Sequence, residues 1–306
     1  MTQALNFDRS MDFNYGVARE LGQGVRRLVA RNPSPMTFKG TNTYLVGRRN
    51  IAVIDPGPDD PMHRRSIIAA AGRGQITHIL LTHTHLDHSA GVAALQAETG
   101  AMTCGFGARS ERRAAAAGHV GAKAILHSGF RPDQCLGDGE HVNGQEWILQ
   151  AIHTPGHAPD HLCFAMTGSD LMFSGDHVMG WNTTVVAPPE GHMGDYLASL
   201  EKLMQPGKPR HGTYLAGHGE VIRQPERLVR SYLIHRRMRE AMIRDCVLEG
   251  LDTVPVITER VYRGIAPALL SAARLSVLAH LEHLVERGAV VCDGAPSLHR
   301  QYHPAA

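Results

Sequence analysis

Residues 81–91 read LTHTHLDHSAG and place three histidines and one aspartate within six positions. His83 and His85 are two positions apart, so on an extended segment their side chains project to the same side, and Asp87 continues that alternation. His88 follows where the chain is predicted to turn into a helix. Imidazole nitrogens and a carboxylate suit a borderline cation such as zinc. One short loop cannot close a coordination shell, so further ligands must come from elsewhere.

Three more candidate ligands share one context, because each follows an apolar strand-like segment and lies beside glycine or proline. They are His157 in HTPGH, Asp176 in SGD and His218 in GHG. Strand ends on one edge of a packed sheet converge in space, and the loops there tolerate chemistry. With 20 histidines in the chain, a histidine-rich surface patch is the competing interpretation. The shared position at strand ends favours a metal site over such a patch.

The candidate set contains five imidazoles and two carboxylates. A single tetrahedral zinc takes four ligands, so seven predict two divalent metal ions that share a ligand. Zn²⁺ fits the donor types best, and Mn²⁺ and Fe²⁺ remain alternatives. Two metals about 3.5–4 Å apart can bridge a hydroxide that attacks an electrophilic carbon or phosphorus. The predicted function is a metal-dependent hydrolase in which Asp87 also orients the nucleophile.

Short apolar strands separated by turns are predicted through residues 1–225, the expected catalytic domain. A helix is predicted over 89–99, closed by Gly100, and a type I′ turn at Asn143-Gly144. The predicted strands are 44–46, 51–54, 76–81, 141–142, 147–152, 162–166, 171–173 and 214–216.

Residues 226–306 differ in pattern and are predicted to form a second, helical domain. Helices are expected over 226–249, from Pro255 and over 266–287, where apolar residues recur at spacings of three and four. A short strand and turn follow at 288–295. This order is typical of a winged-helix-like module, and the last ten residues are expected to be frayed.

Composition narrows the class of protein. Hydrophobic residues at 43% and charged residues at 20% suit an ordinary globular enzyme, and a net charge of +2 does not indicate nucleic-acid binding by bulk electrostatics. The five cysteines form no C-x-x-C pair, which suits a reducing cytoplasm. The start of the chain lacks the apolar core of a signal peptide, and no apolar run approaches a membrane span. Oligomeric state stays open, with a homodimer as one option.

The motifs H-x-H-x-D-H, T-P-G-H, S-G-D and G-H-G, in this order, resemble those of the metallo-β-lactamase superfamily. The resemblance implies an α/β fold, the αββα sandwich of two mixed sheets with helices outside, followed here by the small winged-helix-like domain. It also implies that Asp55, in AVIDPGP, orients a ligand histidine; the alternative is a turn-forming aspartate. The implied ligands are His83, His85 and His157 for one metal, Asp87, His88 and His218 for the other, and Asp176 as the bridge.

A narrower resemblance links the chain to the β-lactamase-like-protein-2 group, whose best-known members are metal-dependent endoribonucleases that act on single-stranded RNA. It is carried by TFKGTNTYLVG (37–47), LMFSGDHVMGWNTTVV (171–186), DYLASLEKL (195–203) and GHGEVI (217–222). The segment APPEGHMG (187–194) departs from the group at the expected substrate rim, and His177 is a second departure.

Two substrate classes follow, because one metal pair can serve phosphodiester and acyl centres alike. Single-stranded RNA is favoured by the group resemblance, the winged-helix-like tail and the basic cluster HRRMR (235–239), although aromatic residues for base stacking are only 5% of the chain. The alternative is a small acyl substrate, a thioester, lactone or β-lactam. A mononuclear iron persulfide dioxygenase also carries these motifs. Residues 181–184 either offer donors to the substrate or begin a strand.

Overall fold

Two mixed sheets packed face to face dominate the computed structural model, which describes residues 7–106, 130–206 and 210–305. In the first sheet the strands follow chain order, antiparallel up to β4 and parallel from β4 onward. They are β1 (Arg19–Gly22), β2 (Val25–Val29), β3 (Asn42–Val46), β4 (Asn50–Ile54), β5 (Gln75–Leu80), β6 (Met102–Gly105) and β7 (Gln134–Cys135).

The second sheet has the order β12-β11-β10-β9-β8, with only β11 and β12 parallel. Its strands are β8 (His141–Asn143), β9 (Ile148–His153), β10 (Leu162–Met166), β11 (Leu171–Gly175) and β12 (Thr213–Ala216). The helices flanking the sheets are α1 (Pro61–Ala71), α2 (Leu86–Ser89), α3 (Val92–Thr99), α4 (Met193–Leu203) and α5 (Pro225–Leu248).

Strand alternation divides the apolar side chains into three layers. In β3, Tyr44 and Val46 face the second sheet, whereas Leu45 faces α1 and α3. In β11, Phe173 joins the core between the sheets and Met172 packs toward α4 and α5. The predicted αββα sandwich is therefore confirmed, with helices covering the outer face of each sheet.

The C-terminal domain has its own core, formed by α6 (Val254–Val261), α7 (Leu270–Glu286) and the paired strands β13 (Val290–Cys292) and β14 (Tyr302–Pro304). Helix α5 serves both cores: Val229 and Tyr232 pack on the second sheet, and Ile243 packs among the C-terminal helices. The predicted domain boundary after residue 225 falls at the start of this shared helix and stays a prediction. Within the described ranges, no helix is long and apolar enough to cross a membrane.

Three local expectations are wrong. The hairpin between β8 and β9 closes through four residues, and neither Asn143 nor Gly144 has the positive φ of a type I′ turn, because the loop wraps over the Trp147 indole. The helix predicted over 89–99 begins later, at Val92, because Ser89 ends the separate helix α2; its end at Thr99 before Gly100 is as predicted. The tail is ordered, since Tyr302 is buried in the C-terminal core and its strand pairs with β13.

Candidate metal centre

The seven predicted ligand residues all lie together, beyond the C-terminal ends of β5, β9, β11 and β12. β5 leads into residues 82–88, and the parallel neighbours β11 and β12 lead directly to Asp176 and His218. Their candidate ligand atoms fall into overlapping groups in which all atoms are within 4.8 Å of one another. The convergence expected of strand ends is therefore observed, and it excludes a scattered surface patch.

The first trio consists of His83, His85 and His157. Nδ1 of His85 lies 3.0 Å from Nε2 of His83 and 3.0 Å from Nε2 of His157. Three imidazole nitrogens thus converge on one point, as ligands of a single cation do.

The second trio consists of Asp87, His88 and His218. The Nε2 atoms of the two histidines are 3.3 Å apart, and Oδ2 of Asp87 lies 3.4 Å from that of His88 and 3.3 Å from that of His218. Asp87 is the most exposed member, with 28% of its side chain accessible, whereas both histidines are buried.

Asp176 lies between the two trios. Its Oδ2 is 3.3 Å from Nε2 of His218 and 3.7 Å from Nε2 of His157, and its Oδ1 is 3.5 Å from Nε2 of His88. The carboxylate therefore contacts members of both trios, which is the position that a bridging ligand requires.

Every histidine in the two trios uses its outward nitrogen in a hydrogen bond to the protein. Each acceptor fixes the tautomer that leaves a lone pair on the inward nitrogen. When unprotonated, inward nitrogens about 3 Å apart repel one another unless a cation lies between them, so the donor set fits divalent metals. The pairs are His83 Nδ1 with Thr82 Oγ1 (2.9 Å), His85 Nε2 with Glu190 Oε2 (3.1 Å), His88 Nδ1 with Asp55 Oδ2 (2.9 Å), His157 Nδ1 with the Val185 carbonyl (2.7 Å) and His218 Nδ1 with the Gly40 carbonyl (3.1 Å).

Two comparisons of the sequence with known families bear on this site. The profile described as Metallo-beta-lactamase superfamily matches residues 36–218, and that of the Beta-lactamase associated winged helix domain matches 253–301. The chain belongs to the metallo-β-lactamase superfamily. The predicted winged-helix-like domain is confirmed. Relatives that carry a thioesterase name are consistent with the predicted enzyme class, a hydrolase of this fold.

Individual relatives refine this assignment. A β-lactamase-like protein 2 homolog of Drosophila melanogaster is 32% identical over 283 residues, covering 88% of this chain and 90% of that protein, so the narrower resemblance is confirmed. An atrochrysone carboxyl ACP thioesterase of Aspergillus fumigatus is 32% identical over 229 residues, covering 73% of this chain. This chain spans 64% of that thioesterase and 64% and 65% of two fungal lactamase-like relatives, less than two thirds of their length.

A solved structure extends the likeness over the whole chain. The β-lactamase domain protein of Burkholderia ambifaria superposes with a TM-score of 0.79 and covers 100% of this chain and 98% of its own. At 19% identity, this likeness shows that the two chains share the fold.

The histidine pKa values are shifted in opposite directions on the two sides of the site. Burial lowers the pKa of His83 well below its usual range, and burial with the neighbouring His85 lowers that of His157 to about 4. On the other side, burial opposes protonation, but nearby carboxylates hold the pKa of His88 well above its usual range and raise that of His218 to about 9. The carboxylates thus favour the protonated forms of His88 and His218, so a divalent cation competes with protons for these two imidazoles.

Asp55 holds the ring of His88, one of the predicted ligands. Its Oδ2 accepts from Nδ1 of His88 and, at 2.7 Å, from the Thr82 hydroxyl; its Oδ1 accepts from the Thr82 amide at 2.8 Å. It also has a left-handed backbone, with φ of 52°, so the turn and the orienting role coincide.

Two further supporting residues, Asp160 and His161, were missed by sequence reasoning. Asp160 accepts hydrogen bonds from the hydroxyl and amide of Thr84, at 2.7 and 3.1 Å, and so fixes the loop between two ligand histidines. His161 accepts from the Asp176 amide at 3.1 Å. Both are buried polar residues directly before β10. Polar residues at the start of an apolar strand were the sequence feature that could have indicated their role.

In the 181–184 loop, the buried Thr184 stabilises the backbone beside Asp176. The Thr184 hydroxyl donates to the carbonyls of Asp176 and His177, at 2.8 and 3.0 Å. Neither Thr183 nor Thr184 begins a strand, so that expectation is wrong. That this loop offers donors to substrate stays a prediction.

The arginines of the basic cluster at 235–239 bond to other groups of the protein. Arg236 is buried, donates to the Thr184 carbonyl and lies over the Tyr196 ring. Arg239 donates to the Val261 carbonyl at 2.7 Å. Arg237 is exposed and pairs with Glu201 at 2.6 Å. Two of the three arginines are therefore engaged inside the protein, and the exposed Arg237 is paired with a carboxylate.

Proposed function

We propose that this chain is a dinuclear metal-dependent hydrolase that cleaves a small acyl substrate, with thioesters as the first class to test. The observation that carries the proposal is the placement of Asp176 between two complete trios whose histidines all direct a ring nitrogen inward. Five histidines and two carboxylates fit two zinc ions best, and Mn²⁺ and Fe²⁺ also suit these donors.

Two divalent cations bound here would acidify a water molecule and polarise the scissile carbonyl. The residues of the chain perform the remaining work. Asp55 and Thr82 keep the imidazoles of His88 and His83 in the required tautomer and orientation. Asp87 is more accessible than Asp176, with 28% against 9% of the side chain exposed, so Asp87 is the carboxylate that orients the attacking water by accepting its hydrogen bond.

The surroundings of the site favour a neutral acyl group over a polyanion. The carboxylate of Glu190 lies 3.1 Å from the ligand His85 and repels an approaching phosphodiester. Two arginines of the 235–239 cluster, Arg236 and Arg239, are engaged inside the protein rather than presented to RNA. The 32% identity to a fungal protein named as an ACP thioesterase points in the same direction.

Endoribonuclease action on single-stranded RNA is the second candidate. Two observations favour it: the Drosophila relative is matched over 90% of its length, and the winged-helix domain belongs to a module class that includes nucleic-acid binders. The same metal pair serves a phosphodiester as well as an ester, so substrate assays must separate the two candidates.

The test uses purified chain, metal analysis and a substrate panel. We expect two divalent ions per chain and hydrolysis of an acyl thioester, measured by thiol release, with lactones, a chromogenic cephalosporin and a single-stranded RNA oligonucleotide in parallel. Cleavage of RNA with every acyl compound intact would overturn the acyl proposal. A single tightly held iron per chain would overturn the hydrolase and favour the dioxygenase.

A further inference from the structure

The segment 187–194, APPEGHMG, connects the metal centre with the C-terminal domain. Glu190 Oε2 lies 3.1 Å from Nε2 of His85, and two residues later Nε2 of His192 lies 2.8 Å from Oε2 of Glu286 in α7. The other ring nitrogen of His192 accepts from the Asp195 amide at 3.1 Å and caps α4. Two side chains of the segment, two positions apart, thus contact the predicted ligand His85 and the C-terminal helix α7.

Backbone contacts on either side of Glu190 fix its position. The Gly191 amide donates to the Ala187 carbonyl at 2.8 Å, and the His192 amide donates to the Gly156 carbonyl at 2.8 Å, next to the ligand His157. A Cβ on Gly191 would lie 2.3 Å from the Ala187 nitrogen, so the turn requires glycine. The carboxylate of Glu190 is consequently presented to His85 by a tight turn.

His85 differs from the other ligand histidines in how it is held. It directs Nδ1 inward and Nε2 outward, whereas the other four direct Nε2 inward. Their outward nitrogens meet backbone carbonyls, Thr82 or the buried Asp55. The outward nitrogen of His85 meets a side chain that is 22% exposed and lies 105 positions away in the chain.

We propose that Glu190 is a positioning residue for His85, an inference that rests on the proposed dinuclear site. By accepting the Nε2 proton, Glu190 keeps the Nδ1 lone pair of His85 directed at the first metal. Its negative charge also makes the imidazole a stronger donor toward a cation, as carboxylates behind metal-bound histidines do.

Two variants and one matched control test this role. Glu190→Ala removes the acceptor, and Glu190→Gln keeps a carbonyl acceptor but loses the charge. Glu286→Gln removes the charge of the α7 carboxylate that contacts His192 in the same segment. The probe is Co²⁺ added to the metal-free full chain. The readouts are its visible absorption bands and its dissociation constants, measured by competition with a chromogenic chelator.

We expect Glu190→Ala to weaken the binding of one of the two cobalt ions by about 10–100-fold and to change its absorption bands. Glu190→Gln should recover part of that loss, and Glu286→Gln should bind as the unaltered chain does. Thermal unfolding of the metal-free variants checks that each one folds.

Two results would overturn the inference: unchanged cobalt affinity and spectrum in Glu190→Ala, or an equal loss in Glu286→Gln. Failure of the proposed function has a different signature, because the unaltered chain would then take up fewer than two metal ions.

Discussion

Nδ1 of His88 lies 2.9 Å from Oδ2 of Asp55, and the same oxygen accepts the hydroxyl of Thr82. That hydroxyl in turn accepts from Nδ1 of His83 at 2.9 Å. One buried carboxylate therefore orients one histidine of each trio. The arrangement couples the two halves of the site, because a displacement of Asp55 disturbs both.

Replacing Asp55 should accordingly weaken both metal positions. Asp55→Asn is the sharper change, because asparagine tolerates the left-handed backbone at this position while losing the charge. We expect a loss of about 10–100-fold in metal affinity and turnover. Isothermal titration with zinc gives the affinities. Asp59→Asn, at an exposed carboxylate on the adjoining loop, is the control; equal behaviour of the two variants would contradict the coupling.

Removing a ligand from either position should abolish turnover while the fold is largely retained. His85→Ala deletes the donor at the centre of the first trio, and Asp176→Ala deletes the contact between the trios. Turnover and metal content per chain are measured together, with circular dichroism as the folding check. His299→Ala, at an exposed histidine outside the site, should leave both unchanged. Turnover that survives in both ligand variants would show the metal mechanism to be wrong.

Gly217 offers a test of how closely the site is packed. A Cβ there would lie 2.3 Å from Oδ1 of Asp176 and 2.8 Å from Cε1 of His88. Gly217→Ala should therefore displace the shared carboxylate and reduce metal content from two ions toward one. Gly137→Ala is a matched control, because its new Cβ would meet nothing closer than 3.7 Å. Two tightly bound metals in Gly217→Ala would contradict the predicted displacement.

The seven site residues could be predicted because their chemical types stand out at the ends of apolar strands. The residues that support them could not. Glu190 reaches His85 across 105 positions, and Asp160 reaches Thr84 across 76, so their roles depend on how distant segments pack. A contact between two residues that are distant in the chain leaves no periodic pattern in a single sequence.

Strands were predicted where short apolar runs were clear, and β2 was missed because charged residues interrupt it. β2 reads VRRLV, and its two arginines obscure the pattern. Arg27 is nevertheless 1% exposed, because it pairs with Glu220 at 2.8 Å. A buried charge is tolerated only with such a partner, and the partner follows from the fold rather than from the local sequence.

Protonation of Glu240 at low pH should weaken the contact between α5 and α7 and so lower the stability of the fold. Nδ1 of His283 lies 2.8 Å and that of His280 3.4 Å from this carboxylate, and Arg287 lies 3.2 Å away. Burial opposes its ionisation, but these hydrogen bonds prevail and lower the pKa of Glu240 from 4.5 to about 2.

Because the folded pKa of Glu240 is below the unfolded value, its stabilising effect is complete above pH 4.5 and is lost as the pH falls from 4.5 toward 2. We expect metal-free Glu240→Gln to be less stable than the unaltered chain by about 1–3 kcal/mol at pH 7, with a difference that shrinks below pH 4.5. Urea unfolding at a series of pH values measures this difference. Glu259→Gln, at an exposed position on α6, should show no such trend. A difference for Glu240→Gln that stays constant down to pH 3 would mean that the carboxylate is not stabilised by its partners.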